Sequence, residues 1–265
     1  MKAVLLGIAL LAFSAPALAD DLADAQKAWE SKDYGRAFKA FSALAKAGNG
    51  AAQLQLGEMF GFGEGTAEDA VQAEHWLKQA QAAGVPEAAA SLELVRERHA
   101  RKAEIAYFTE HFDGADRAYS NYGCTRPLIP AQSATNAEIA AVNSAVNTWA
   151  ACHGRFVTDL NKSLPATNTI SPGVLKLMSN AEYQRASALI EKVYEKIAVD
   201  AQRIADQIGS ENAAWKAATE KFAADSNEKI AGKAASDKAR FERFNLEEQD
   251  AVQRRINAAN GVRKQ

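Results

Sequence analysis

After residue 20, apolar residues recur every three or four positions along nearly the whole chain, the period of an amphipathic helix. Ile139, Val142, Val146, Trp149, Cys152, Phe156 and Leu160 fall on one stripe, with Thr135 or Asn136 placed to cap its start. Ser163 to Gly173, holding Pro165 and Pro172, reads as a turn. Ile190, Val193, Ile197, Ala201, Ile204 and Ile208 form a second stripe, close to a heptad, and Gly209 is expected to end that helix. Beyond Glu211 the chain reads as helical but polar. Its apolar stripe is thin: Trp215, Phe222, Ile230, Phe241, Val252 and Ile256. Such a helix packs as the outer member of a bundle or pairs with another chain.

The N-terminal third carries an internal repeat. Laying each residue over the one 36 positions later matches Asp33 to Asp69, Ala37 to Ala73, Phe41 to Leu77, and Ala47 to Ala83. The match continues with Gly48 on Gly84, Ala52 on Ala88 and Leu56 on Leu92. A stack of helix hairpins fits this pattern. The two glycines can end helices in a left-handed conformation, and the two aspartates can cap the next ones. Arg96 to His111 reads as a charged helical extension. Asp113 to Ser133, with two glycines and two prolines, reads as an ordered loop.

The best-formed unit runs Ala52, Leu56-Gly57, Phe60, Gly63, Gly65, Asp69, Ala73, Trp76, Ala80, Gly84. It closely resembles the Sel-one-like repeat, a relative of the tetratricopeptide repeat. Phe60 stands where that family usually has Tyr, Thr66 where it has Val, and Gln81 where it has Ala. Flanking units are partial, so the resemblance covers residues 21 to 98. It implies a short α-solenoid with a protein-interaction role. Such arrays bind through the first helix of each pair, which makes Gln53, Gln55, Glu58, Phe62 and His75 candidate partner-binding residues. Residues 100 to 265 resemble no family named here.

Composition adds a compartment. Apolar residues make up 48% of the 265, enough for a sizeable core, and charged residues make up an ordinary 24%. Six prolines and many alanines favour helix. Lys2, the apolar run Ala3 to Phe13 and the small pair in Ala17-Leu18-Ala19 read as a secretory signal cleaved near Ala19. The run is too short to span a bilayer. Removing Lys2 leaves 30 basic against 33 acidic residues, a balance that directs the chain neither to nucleic acid nor to anionic lipid. In an oxidising compartment Cys124 and Cys152 are expected to pair; the rival is free thiols or a metal site with His153.

Motifs for catalysis are weak. Gly61-Phe62-Gly63-Glu64-Gly65 lacks the strand and the Gly-Lys-Ser/Thr ending of a phosphate cradle. His75, His99, His111 and His153 are scattered, and no Gly-x-Ser-x-Gly is present. Glu191, Glu195, Asp200 and Asp206 follow one polar helix face. Tyr119, Tyr122 and Trp149 read as core around the cysteines rather than as a ligand pocket.

The expectation is therefore an all-α chain without a cofactor or a catalytic site: a signal peptide (1–19), a repeat array (20–98), a connecting helix and loop (99–133), and a helical bundle with a long polar C-terminal helix (134–265). Its expected role is periplasmic or secreted, binding a protein or peptide of the cell envelope. The alternatives are a structural homo-oligomer built through the C-terminal helices and, less favoured, an envelope enzyme with a site in the C-terminal half.

Overall fold

The protein is described by a computed structural model over residues 15–262, and the fold is all-α, with no strand among these residues. The expected signal segment lies outside them, except for its last five residues, which open the first helix. Five helices follow one another: α1 (Ala15–Glu30), α2 (Tyr34–Lys46), α3 (Gly50–Phe62), α4 (Ala70–Ala82) and α5 (Ala88–Ala100), each packed on the next. Helix α6 (Lys102–Ala106) is a short continuation that ends in a wider turn, Tyr107–His111. Then come α7 (Asn136–Lys162), the single turn α8 (Pro172–Leu175) and α9 (Asn180–Val262), which runs 83 residues without a break.

Helices α2 and α4 begin 36 residues apart, and α3 and α5 begin 38 apart. Helices α2 and α4 have equal length and start after Asp33 and Asp69. The Asp33 carboxylate accepts from the Arg36 amide, and that of Asp69 from Val71 and Gln72. Gly48 and Gly84 stand just past the helix ends at φ 90° and 81°, where a side chain would be strained. Ala37, Phe41, Ala52 and Leu56, with their counterparts Ala73, Leu77, Ala88 and Leu92, are all buried.

Two glycines set how closely these helices approach. A Cβ on Gly57 would come within 2.6 Å of Leu77 Cγ, and one on Gly61 within 2.5 Å of Val95 Cγ2. Helix α3 therefore lets a large apolar side chain of α4 and another of α5 rest on its backbone.

The chain divides into two compact units that are interleaved rather than consecutive. The first takes residues up to Arg117 together with Asp159–Ile197; the second takes Ala118–Thr158 and the chain from Ala198 on. Residues 159–197, read from the sequence as part of the C-terminal bundle, thus belong with the helix stack. The long helices α7 and α9 contribute to both units.

In the second unit Cys124 and Cys152 form a disulfide, with Cα atoms 5.5 Å apart. The pairing removes the rival of free thiols. Around it, Trp149 Nε1 donates to Tyr119 Oη at 3.0 Å, and Tyr119 and Tyr122 meet Phe156 edge-on. Trp215 Nε1 donates to Ser133 Oγ, and the Ser133 amide donates to Thr219 Oγ1.

Gly209 does not end its helix. Neighbouring Ile208 and Trp215 are both buried, and their packing outweighs the roughly 1 kcal/mol by which Gly disfavours a helix interior.

Candidate functional site

Within the first unit, one cleft of about 310 Å³ gathers side chains from alternate helices of the stack. Helix α1 supplies Trp29, α3 supplies Glu58 and Phe62, and α5 supplies Leu94. Glu64 comes from the turn after α3. The segment Lys176, Met178, Ser179 and Asn180 lines the remainder. The walls mix aromatic and aliphatic side chains with two carboxylates, a lysine, a serine and an asparagine.

The charges are not equivalent. Lys176 Nζ lies 2.7 Å from Glu97, so its cation is already matched. Glu64 accepts from Trp29 Nε1 at 3.2 Å, and no cation among the described residues pairs with it. Glu58 accepts from Ser91 Oγ at 2.6 Å and weakly from Gln55 Nε2 at 3.4 Å. Burial pushes the Glu58 carboxyl above its ordinary range; the Ser91 hydroxyl pulls it back, and the negative charges of Glu64 and Glu87 push it up again. The site is thus a cleft of mixed polar and apolar lining whose two carboxylates are not offset by its lysine.

Its back is fixed by Arg98, buried at 2% exposure. Nε donates to Gly61 O at 2.9 Å. The terminal nitrogens reach Leu177 O, Glu68 and both oxygens of Glu182. The guanidinium also lies 5.0 Å from the centroid of the Phe62 ring. Burial disfavours both charges. Even so, the bonds from Arg98 and from the Ser179 amide and hydroxyl hold Glu182 below its usual value, while Glu182 and Glu68 raise Arg98. This clamp joins the turn after α3 and the end of α5 to the start of α9.

The five residues expected from the sequence divide. Glu58 and Phe62 line the cleft, and Gln55 touches it through Glu58. Gln53 is buried; its Nε2 donates to Ala45 O, so it ties α3 to α2 rather than facing a partner, and its Oε1 has no bonded partner. His75 is exposed on α4, in a different depression with His99, Glu74 and Lys78. There Arg96 and Lys78 bind Glu74 and draw its carboxyl down to about 2.

Trp29, Glu64, Leu94, Met178 and the Arg98 clamp escaped the sequence reading. A Trp ending α1 was the one local hint; the rest depends on contacts made across distant segments.

A third depression, beside the disulfide, is lined by Tyr122, Trp149 and Arg155. No group of three or more potential metal-ligating side chains occurs among the described residues. No described helix is long and apolar enough to cross a membrane. Comparison with protein-family profiles, with curated proteins and with solved structures finds no match to the chain.

Proposed function

We propose that this is an exported protein-interaction protein of the cell envelope, and that the Trp29–Phe62 cleft receives a partner segment presenting a cationic side chain beside an apolar one. One observation carries the reading: Glu58 and Glu64 bring negative charge into a cleft where Trp29, Phe62, Leu94 and Met178 stand beside Lys176, Ser179 and Asn180, and where the one cation, Lys176, is already paired with Glu97. A buried carboxylate without a cation is costly, and a Lys or Arg from outside offsets that cost. The apolar side chains supply the remaining affinity.

The Sel-one-like resemblance supports the same reading. Its glycines and aspartate do the local work expected of a helix-pair array, and the cleft draws on α1, α3 and α5, the alternate helices of the stack. Export is supported by the signal-like start of the sequence and by a disulfide that an oxidising compartment would preserve.

The test places a photo-crosslinking residue at Leu94 of the tagged full chain in its native cells. One envelope protein should be captured, and the charge-reversing Glu64→Lys should abolish the capture. Equal capture from a control position at Val71, on the outer side of α4, would overturn the reading.

A further inference from the structure

We infer that the far end of α9 pairs antiparallel with the same segment of a second copy of this chain. The argument is independent of the cleft.

Helix α9 carries a period of 11 residues. Ala186, Ile197, Ile208, Thr219, Ile230, Phe241 and Val252 stand at that interval, and so do Ile190, Ala201, Asn212, Ala223, Ala234, Asn245 and Ile256. Eleven residues turn the helix about 20° past three whole turns, so neighbouring members of each series share a face that drifts slowly around the helix. Early in the helix that face is covered: Ala186, Ile190, Ala201, Ile208 and Thr219 are buried, and so is Trp215 beside them.

Further on, the face continues and the cover stops. Every residue from 227 to 250 is exposed. Ile230 is 68% exposed, Phe241 64%, Phe244 58%, and Val252 and Ile256 47% each. These five lie within one half of the helix circumference; Leu246 alone among the large apolar side chains there points the other way. Solvent gives no reason for an apolar series to keep the register of a buried one over three more repeats. A helix partner does.

Charge selects the partner and its direction. Asp237 and Glu248 lie in the middle of the stripe. A parallel, in-register pair would set each against its own copy. Reversing one copy about Arg243 removes both clashes. It sets Ile230 against Ile256, Ala234 against Val252, Phe241 against Asn245 and Lys238 against Glu248. Large residues then meet large ones at the ends, small meets branched further in, and Glu248 meets the opposite charge of Lys238. The Phe241 and Phe244 rings of both copies gather around the two-fold axis. Arg243 itself faces away from the seam, so its two copies do not confront one another. The pattern is self-complementary under a two-fold rotation, as a closed dimer requires.

The experiment uses the full chain with its disulfide intact. Light scattering at tens of micromolar should give a dimer. Phe241→Asp should raise the dissociation constant at least a hundredfold while leaving the helical circular dichroism of the rest unchanged; deleting residues 224–265 should give a monomer. Spin labels at Arg243→Cys and, separately, at Glu228→Cys fix the direction. Antiparallel pairing makes the intermolecular distance short at 243 and about 45 Å along the axis at 228. A monomer, a dimer indifferent to Phe241→Asp, or equally short distances at both positions would overturn the inference.

Discussion

The helix stack α2–α5 and the last third of α9 are built from the same material, alanine-rich amphipathic helix, and differ in what covers the apolar face. In the stack, Ala37, Phe41, Ala73, Leu77 and Ala80 are fully enclosed, because each helix lies against its neighbours and glycines permit close approach. Along α9 beyond residue 226, Ile230, Phe241 and Phe244 meet solvent. The difference teaches that helix formation and burial are separate achievements. The stack earns its stability from packing. The distal helix has no packed face among the described residues, so it depends on intrinsic propensity until a partner arrives.

The comparison is broken most severely at Arg98. Replacing it with Met leaves Glu182 buried without its cation and Gly61 and Leu177 carbonyls without a donor. The expected cost is about 3–5 kcal/mol, read by urea unfolding at pH 7. The pH dependence carries the sign. Glu182 is held below the ordinary carboxylate value, so its contribution is present above the unfolded pKa and disappears as pH falls through the folded one. The wild-type chain should therefore lose part of its stability on acidification, and the Met variant should lose less.

A smaller effect of opposite sign is expected at Glu58. Its pKa is raised, so its contribution is greatest below the unfolded pKa and declines as pH rises through the folded one. Glu58→Gln should stabilise the chain at pH 7, by an amount on the order of 1 kcal/mol or less, and change little at pH 4. Calorimetry at the two pH values reads this directly. The same variant should weaken the crosslinked partner, setting stability and binding against each other at a single residue.

The smallest effect belongs to the distal helix. Phe241→Ser should leave the unfolding free energy of dilute, monomeric chain unchanged within about 0.5 kcal/mol, since the side chain is 64% exposed. At high protein concentration the same change should lower the midpoint.

Much of this was legible in the sequence, for a physical reason. Caps and helix-ending glycines depend on neighbours close in the chain, and Asp33, Asp69, Gly48 and Gly84 perform locally as their types predict. The cysteine pair was legible because there were only two. Gln53 was misjudged because a polar side chain on a helix looks the same whether it faces water or a neighbouring carbonyl. Gly209 was read as a stop because propensity was weighed without the packing of Ile208 and Trp215. The stripe from Ile190 to Ile208 looked like a heptad over so short a span; only the full 83-residue helix reveals the longer period. Arg98 was lost in a charged run, since its acceptors at positions 61, 68, 177 and 182 lie far apart in the chain.

That arginine also imposes an order of events. Residues 61, 68 and 98 are synthesised and delivered long before residue 182, and the whole of α7 passes in between. Until the start of α9 emerges, the guanidinium lacks its main counter-charge and cannot be buried without heavy loss. The first unit therefore cannot mature as its own segment leaves the ribosome or a translocation pore. It must wait, open along one side, for a stretch of chain that arrives after all of the other unit's first segment has gone by.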